Sequence, residues 1–584
     1  MPQDIFAGEP PPLLDRSLDS RAQPVSRIGE GEIGGKASGL MSARRLLETE
    51  FPADLHQLAD IEVPIFVVLT TEVFDAFVEQ GDLREVVTSG IPDDRIAHAF
   101  QQADFPVRFA GDLRAVLERI SSPIAVRSSS MLEDRLAHPF AGVYETKMIP
   151  NNQPDAGERF VKLVEAVKYV YASMFFKGAV NYLRSASRTL DEEKMAVVLQ
   201  EVVGIRHDRR FYPHVSGVVK SYNYYAFGRA RPEDGVASLA LGLGKTIVDG
   251  GVSWSYCPAF PTLKPPFASP RDQLRGTQNR FWAVNLGAPP EYDPISETEY
   301  MEQHELSDAD YDGVLGNVAS TYEPAGDRLV PGVRGNAPRV VNFAPTLEYG
   351  AFPLNKLVRA LMEACERAYG ADVEIELALT FPVGRVPRAR LGFLQVRPMA
   401  GIGEQVRVPE TPPAGWATLV GSERAMGNGI LEDVADVIYV RPDRFELKDS
   451  GAVAMDIEGM NQRLLDEGRR CLLIGFGRWG SSDPWLGIPV TWSQICAART
   501  VVEATLDAVR VEPSQGSHFF HNLSSFGVSY FTVSDGEEGI AWEQLAALPA
   551  IEETDLVRHV RFGQPVRVLV DGRSARGVIF YQQG

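Results

Sequence analysis

Short apolar runs alternate with helical periodicity from Ile28 to about Ala400, and this alternation limits the fold more than any other feature. The runs are strand-length: Phe66–Leu69, Ile124–Val126, Met195–Leu199 and Gly392–Val396. Apolar strands mixed with helices predict an α+β or mixed α/β architecture. One helix is especially clear, because apolar residues recur at helical spacing from Leu354 to Cys365 and Gly370 stands where the helix should stop.

The 584 residues should form several compact units, since domains average roughly 100–200 residues. A Pro-rich, weakly ordered tail is expected over 1–25, followed by a large unit over 26–403 with a loop-rich insertion at 258–345. The Pro-rich stretch Val408–Gly415 marks a linker at 404–416. We expect a smaller C-terminal α/β domain over 417–584.

In this C-terminal domain, Val437–Val440 and Cys471–Ile474 look like buried strands. Asp535-Gly536 and Asp571-Gly572 lie between apolar runs and predict hairpin turns. Residues 494–509 look helical.

The charge balance excludes several classes of partner. The chain has 58 Lys and Arg against 78 Asp and Glu, a net charge of −20, which argues against nucleic acid or an anionic membrane as the main partner. Its four cysteines are far apart and show no zinc or disulfide pattern. There is no signal-like start and no apolar stretch of membrane-spanning length. We therefore expect a soluble cytoplasmic protein with reduced thiols.

Three glycine patterns do not meet the requirements of the nucleotide motifs that they resemble. Gly29–Gly34 fits GxGxxG but follows a segment too polar for a Rossmann strand, and Gly475–Gly480 is not followed by a helix. Gly244-Lys245-Thr246 lacks the first glycine of a P-loop, because Leu239 stands there. We interpret Gly475–Gly480 as a structured turn and expect neither a dinucleotide site at Gly29–Gly34 nor a P-loop at Gly244–Thr246.

Two other segments could meet a phosphate. Gly34-Gly35-Lys36 begins a helical stretch and combines backbone amides with an ammonium group. The strand Ile124–Val126 ends in Arg127 and three serines, a cluster of donors suited to phosphate oxygens. The alternative interpretations are a plain glycine turn for the first segment and a capped surface helix for the second.

A pair of strands could hold a metal ion. Side chains alternate between the two faces of a strand. Glu374 and Glu376 should therefore share one face of their strand, and Gln395 and Arg397 should share one face of a second strand. If the strands pair, Glu376 and Gln395 offer hard oxygens for Mg²⁺, and Arg397 offers a bidentate donor to phosphate. Exposed polar faces of an ordinary sheet would give the same pattern.

Taken in chain order, these segments resemble a known family. They are GGK at 34–36, VRSSS at 126–130 with ED and FAG after it, MAVVLQ at 195–200, GLG at 242–244, EIE at 374–376 and LQVRP at 394–398. This order is similar to the N-terminal ATP-grasp domain of phosphoenolpyruvate synthase and pyruvate phosphate dikinase, over roughly residues 27–400. VP at 63–64 and SGV at 216–218 add to the resemblance.

The resemblance implies a two-lobed ATP-grasp domain, with lobes over about 26–194 and 195–403, that uses ATP and Mg²⁺. Phosphate contacts would come from Lys36, Arg127 and Arg397, and metal ligands from Glu376 and Gln395. The hinge past the adenine would be formed by Gln200, Glu201, Val202 and Val203. Phe140–Thr146 would cover the phosphates.

The departures from the family pattern matter as much as the matches. Lys245 replaces the usual glutamate after GLG, and Gly178 stands where an arginine usually precedes alanine. No carrier motif or phosphoenolpyruvate barrel is recognisable after the linker. His518, in Gln515–His521, is a candidate phosphoacceptor, although it could equally be a half-buried hydrogen-bonding residue.

These features predict a Mg²⁺-dependent ATP-binding phosphotransferase of kinase or dikinase type with an unknown acceptor. Arg127, Arg397 and His518 are its candidate catalytic residues. The alternative is a regulatory protein that senses ATP or ADP in the same pocket without chemistry, for which Lys245 and the missing carrier domain are the reasons. A scaffold with a vestigial pocket is a third possibility.

Overall fold

The computed structural model describes residues 9–583 except 85, 87–90, 132–143, 186–192, 224–225, 227–228, 250, 264–268, 383–387, 400–405, 482–484, 506–527 and 534–538. Helices and several mixed sheets make up these parts of the chain, which confirms the α+β class.

The first sheet has five strands. In spatial order they are Val25–Ile28, Phe66–Leu69, Met195–Glu201, Ile124–Ser130 and Thr146–Ile149. The first two strands are parallel and the remaining neighbours are antiparallel. Met195–Glu201 thus lies at the centre of the first sheet, whereas we expected it to begin the second lobe. Its apolar run is buried on both faces, so the sequence pattern alone does not show which sheet it joins.

In the described residues of this region, six helices follow or connect these strands. They are Gly34–Thr49, Thr71–Gln80, Asp93–Gln102, Val107–Arg119, Ala156–Ser173 and Lys177–Ser185. Phe77, Phe100 and Leu113 from three of these helices share one buried cluster with Leu69 and Val126 of the sheet. These contacts bury one face of the sheet.

The segment before the first strand differs from the weakly ordered tail that the prolines suggest. The Leu14 N–H donates to the Arg27 carbonyl at 2.8 Å, and the Arg27 N–H donates to the Pro12 carbonyl at 2.9 Å. The Gln23 side chain adds a hydrogen bond to the Leu13 carbonyl at 2.7 Å. Residues 12–24 are therefore held against the first sheet by backbone hydrogen bonds that composition does not reveal.

The second sheet has six strands. In spatial order they are Trp254–Tyr256, Val236–Ala240, Val215–Lys220, Val373–Thr380, Arg390–Pro398 and Asp60–Glu62. Helix Leu354–Tyr369 buries its apolar face against this sheet and ends at Gly370, whose φ of 60° suits glycine. The structure confirms this helix and its stop. Asp60–Glu62 lies between Val25–Ile28 and Phe66–Leu69 in the chain, so the chain passes between the first and second sheets three times.

The region 258–345 contains regular structure, although we predicted a loop-rich insertion. Arg280–Asn285 and Met301–Glu305 join Ile205–His207 and Arg210–Tyr212 in a four-stranded sheet. Ala319–Glu323, Arg328–Pro331 and Arg339–Val341 form a three-stranded sheet, and the short helices here and just before are Lys245–Val248, Pro270–Gly276, Leu306–Tyr311 and Ala344–Leu347. Elements this short cover too few residues to show a clear period.

The C-terminal domain contains a nine-stranded mixed sheet. Its strands are Trp416–Ser422, Ala425–Met426, Gly429–Val440, Cys471–Phe476, Ala498–Ala504, Ser529–Val533, Ala550–Glu553, Val557–Asp571 and Arg576–Gln582. Its helices in the described part are Ser450–Asp466 and Trp542–Ala547, and Arg478–Trp479 pairs separately with Gly487–Ile488.

Two predicted strands and one predicted hairpin of this domain are confirmed. Val437–Val440 and Cys471–Ile474 lie in neighbouring parallel strands, and Asp571-Gly572 begins the turn between the last two antiparallel strands. Asp535-Gly536 lies outside the described residues. The predicted helix at 494–509 is wrong, because Ala498–Ala504 is a buried strand between two parallel neighbours. Its β-branched run Thr500-Val501-Val502 suits that position.

The C-terminal domain contacts both preceding parts. One buried cluster includes Val167 and Val170 beside the first sheet together with Ile457 and Met460 of helix Ser450–Asp466. The Tyr222 hydroxyl also donates to the Gly572 carbonyl at 3.3 Å. In the part of the chain that the structure describes, no helix is both long and apolar enough to cross a bilayer.

Candidate functional site

The start of helix Gly34–Thr49 is fixed against strand Ile124–Ser130. Gly34 has a φ of 74°, and a Cβ there would lie 1.8 Å from the Ser129 carbonyl oxygen, so only glycine fits. The Ser129 hydroxyl accepts from the Ala37 N–H at 3.0 Å and donates to the Ile33 carbonyl at 2.8 Å. The ammonium of Lys36, 9% exposed, donates to the Ser128 hydroxyl at 3.1 Å. The predicted Lys36 and serine segments therefore lie together.

Arg127 joins the two sheets. Its Nη2 donates to Gln395 Oε1 at 2.7 Å and to Glu376 Oε2 at 3.2 Å, both on the second sheet. Its Nη1 donates to Gln200 Oε1 at 2.9 Å and to the Leu394 carbonyl at 3.0 Å. The side chains of Arg127 and Glu376 are only 13% and 15% exposed. Four of the predicted site residues thus meet at one guanidinium.

The expected pairing of the two polar strands is present. Val373–Thr380 and Arg390–Pro398 are antiparallel, with Glu376 opposite Gln395 and Glu374 opposite Arg397. A shift of register follows Glu376, as in a β-bulge. Arg397 forms a buried ion pair with Glu374, and the Lys220 ammonium is 3.3 Å from the same carboxylate. The predicted phosphate contact Arg397 is therefore engaged by a carboxylate that the sequence interpretation left without a role.

The segment 200–203 leaves the first sheet beside this cluster. Gln200 is 2% exposed, and Glu201 forms an ion pair with Arg390 at 2.7 Å. The Glu201 N–H donates to the Ile65 carbonyl at 2.9 Å. Val203 is buried, and a Cβ on Gly392 would lie 2.5 Å from its Cγ2. Glu201 and Val203 therefore tie strand Met195–Glu201 to the second sheet.

A second charged cluster surrounds Lys245. Its ammonium lies 2.6 Å from Glu297 and 3.1 Å from Asp249. Burial by itself lowers the pKa of Lys245, but these two carboxylates outweigh it and raise the pKa. Burial, together with the charge of Glu297, raises the pKa of Glu145 to about 7.

The sequence interpretation noticed Lys245 but missed its carboxylate partners. Glu145 directly precedes Thr146, which is opposite Arg127 in the first sheet. Glu297 comes from the insertion, more than fifty residues from Lys245 in the chain, and no local pattern connects the two.

The oxygen atoms where the two sheets meet are of the chemical type that magnesium prefers as ligands. Mg²⁺ is usually held by one or two protein oxygens, with substrate phosphates and waters completing its shell. Glu376 supplies one carboxylate and Gln395 one amide oxygen, in register on neighbouring strands. No group of three or more His, Cys, Asp and Glu residues in the described segments could hold a metal unaided. This donor set suits a metal that arrives with a phosphate.

Several predicted residues cannot be located at the site. His518 and its neighbour His521 lie outside the described residues, as do Phe140–Val143 of the predicted covering loop Phe140–Thr146.

The Gly475–Gly480 segment is described. Its first two residues end the strand Cys471–Phe476, and Arg478–Trp479 is a short strand of its own. The predicted turn is therefore limited to Gly477 and Gly480, whose φ values are 72° and 75°.

Comparison with known families identifies the class of protein. The family model described as "Pyruvate phosphate dikinase, AMP/ATP-binding domain" matches residues 30–412, more than half of the chain. The chain belongs to this family, and it therefore carries an ATP-binding domain related to that of pyruvate phosphate dikinase. A comparison with curated proteins gives no match.

Proposed function

We propose that the chain is a Mg²⁺-dependent ATP phosphotransferase of kinase or dikinase type, in which the first and second sheets are the two lobes of an ATP-grasp domain. The main support for this proposal is the set of contacts made by Arg127, which donates hydrogen bonds to Gln200, Glu376 and Gln395. The next residue of the same strand, Ser128, accepts a hydrogen bond from Lys36. Two cations, Lys36 and Arg127, thus contact or belong to strand Ile124–Ser130, and Arg127 contacts two oxygens of the second sheet that suit a metal ion.

This arrangement suits phosphoryl transfer, because that reaction depends mainly on positioning and on neutralising phosphate charge. Lys36 and Arg127 would bind phosphate oxygens of ATP, and Arg397 would add a further positive charge from the second sheet. Glu376 and Gln395 would hold Mg²⁺, which when bound neutralises phosphate charge. Gln200–Val203 would lie along the adenine as the hinge.

The acceptor of the phosphoryl group is not identified by these contacts. His518 in the C-terminal domain is our candidate carrier residue, because a neutral imidazole is a competent nucleophile toward phosphorus. The four cysteines are all buried and free of disulfides, which supports placement in a reducing compartment such as the cytoplasm.

The test is incubation of the purified chain with Mg·ATP, following AMP, ADP, phosphate and pyrophosphate together with the intact protein mass. AMP together with an acid-labile phosphoryl group on the protein would establish dikinase-type chemistry. His518→Ala should then abolish the added mass, and retention of the phosphoprotein would exclude His518 as the carrier.

The second candidate is a sensor that binds ATP or ADP without turnover. The specific observation in its favour is Lys245, which is held by Glu297 and Asp249 at a position where the family usually has a glutamate. Tight nucleotide binding with no product and no mass change, in the presence of candidate acceptors, would support the sensor over the enzyme.

A further inference from the structure

The guanidinium of Arg127 contacts the same two oxygens that we assign to magnesium. It donates to Gln395 Oε1 at 2.7 Å and to Glu376 Oε2 at 3.2 Å. A magnesium ion would need these oxygens at roughly 2.0–2.1 Å. Two cations that close to one carboxylate repel each other strongly in a site of reduced dielectric. Arg127 and the metal ion therefore cannot bind Gln395 Oε1 and Glu376 Oε2 at the same time.

The local charge balance points in the same direction. Glu376 carries one negative charge, which Arg127 already neutralises, and Gln395 is neutral. The nearby carboxylate of Glu374 is neutralised by Arg397 and Lys220. A divalent cation added to this cluster would meet no uncompensated negative charge. Phosphate groups would supply that charge.

We propose that Arg127 and the divalent cation exchange places, so that the metal binds Glu376 and Gln395 only when a nucleotide phosphate takes over Arg127. This inference rests on the proposed function, because it uses the same metal ligands and the same nucleotide. A triphosphate offers Arg127 charged, bidentate acceptors in place of Glu376 and Gln395. Metal and nucleotide then bind with positive cooperativity, and by linkage each strengthens the other equally.

The exchange also acts on the contact between the sheets. Arg127 Nη1 donates to Gln200 Oε1 and to the Leu394 carbonyl, so one side chain links strands of both sheets. When Arg127 turns to a phosphate, these acceptors lose their donor as well. Nucleotide binding thereby replaces a direct link between the sheets by a link that runs through the phosphates.

The experiment measures Mn²⁺ binding by electron paramagnetic resonance in the absence of nucleotide. The wild-type chain should bind Mn²⁺ weakly, whereas Arg127→Met should bind one ion at least about tenfold more tightly, because the competing cation is gone. The double variant Arg127→Met/Glu376→Gln should lose this increase in Mn²⁺ affinity. Arg339→Met is the matched control: the Arg339 side chain is also buried and paired with one carboxylate, Asp310, but it lies in the three-stranded sheet, outside the first and second sheets. It should leave Mn²⁺ affinity unchanged.

The outcomes separate this inference from the proposed function. If Arg127→Met gains no Mn²⁺ affinity although Mn·ATP binding depends on Glu376, the metal site stands and the exchange is wrong. If Mn·ATP binding does not depend on Glu376, the metal site itself fails and the exchange fails with it. Should Arg127→Met not fold, Arg127→Gln serves instead, because it keeps an amide donor and removes the competing positive charge; Mn²⁺ affinity equal to wild type would then overturn the exchange.

Discussion

Glu374 and Arg397 form an ion pair between the two neighbouring polar strands of the second sheet, Val373–Thr380 and Arg390–Pro398, and each side chain is only 4% exposed. Charges buried this deeply are costly to leave without a partner. Arg397 therefore supports the fold of the sheet as well as being a candidate contact for phosphate.

Arg397→Ala should lower the free energy of unfolding by about 1.5–3 kcal/mol, because buried Glu374 loses a charge-assisted hydrogen bond and keeps only Lys220, at 3.3 Å, as a positive partner. Chemical denaturation of the variant and the wild type measures this difference. Arg359→Ala, which removes an exposed pair with Glu363, should cost less than about 0.5 kcal/mol. An Arg397→Ala variant as stable as wild type would show that the buried pair contributes nothing.

Gly34→Ala should destabilise the chain by at least about 2 kcal/mol, because the residue has a φ of 74° and its new Cβ would overlap the Ser129 carbonyl. Thermal or urea unfolding measures the change. Gly451→Ala is the control, since Gly451 begins a helix in open space. It should be neutral or stabilise by up to about 1 kcal/mol. Equal behaviour of the two variants would contradict the close approach of helix and strand.

Asp436 should make the chain less stable in acid. Burial raises the pKa of this carboxyl, but hydrogen bonds from His559, Arg561 and Arg469 outweigh burial and bring the pKa to about 2. The unfolded chain has the ordinary, higher pKa, so the stabilisation is complete above about pH 5 and is lost as the pH falls toward 2.

The stabilisation from Asp436 amounts to about 2 kcal/mol. Asp436→Asn should therefore be less stable than wild type at pH 7, and the difference should shrink as urea unfolding is repeated toward pH 3. A difference that stays constant over this range would mean that the carboxylate is not held by its three partners. Asp60→Asn, at an exposed pair with Arg388, should change stability little at either pH.

Glu503 should have the opposite effect on the pH dependence. Burial raises the pKa of this carboxyl to about 7, despite the hydrogen bond from Tyr530 and the charge of Arg478. A raised pKa in the folded chain means that stability is fully present below the unfolded value near 4.5 and is lost as the pH rises through about 7.

The glutamine in Glu503→Gln cannot ionise. The free energy of unfolding of this variant should therefore rise by about 3 kcal/mol relative to that of the wild type between pH 5 and pH 8. Unfolding curves at the two pH values measure this gain. If the two proteins keep the same difference in stability at both values, Glu503 is either ionised throughout or not coupled to folding.

Local sequence predicted those parts of the site that depend on strand and helix periodicity. Two-residue alternation placed Glu376 and Gln395 on the correct faces, and helical spacing located Leu354–Tyr369 with its stop at Gly370. The donor clusters at Gly34–Lys36 and Arg127–Ser130 predicted Lys36 and Arg127 as phosphate contacts, and the structure brings both close to the same strands.

Contacts between distant segments could not be predicted in this way. The pairing of Arg127 with Gln200 joins two strands of one sheet, and that of Lys245 with Glu297 joins the short helix Lys245–Val248 to the insertion. Such pairs depend on how whole elements pack. Likewise, Ala498–Ala504 is a strand because its neighbours on both sides are strands, which overrides an ambiguous local pattern.

The most direct measurement is calorimetric titration of Mg·ATP into the wild-type chain and into Lys36→Met and Arg127→Met, with Arg339→Met as the control. If ATP lies between the two sheets, each of the first two variants loses a charge-assisted phosphate contact. Its affinity should fall at least about tenfold, and the control should bind as tightly as wild type. Equal affinities in all four proteins, or no binding by the wild type, would contradict an ATP site at Lys36 and Arg127.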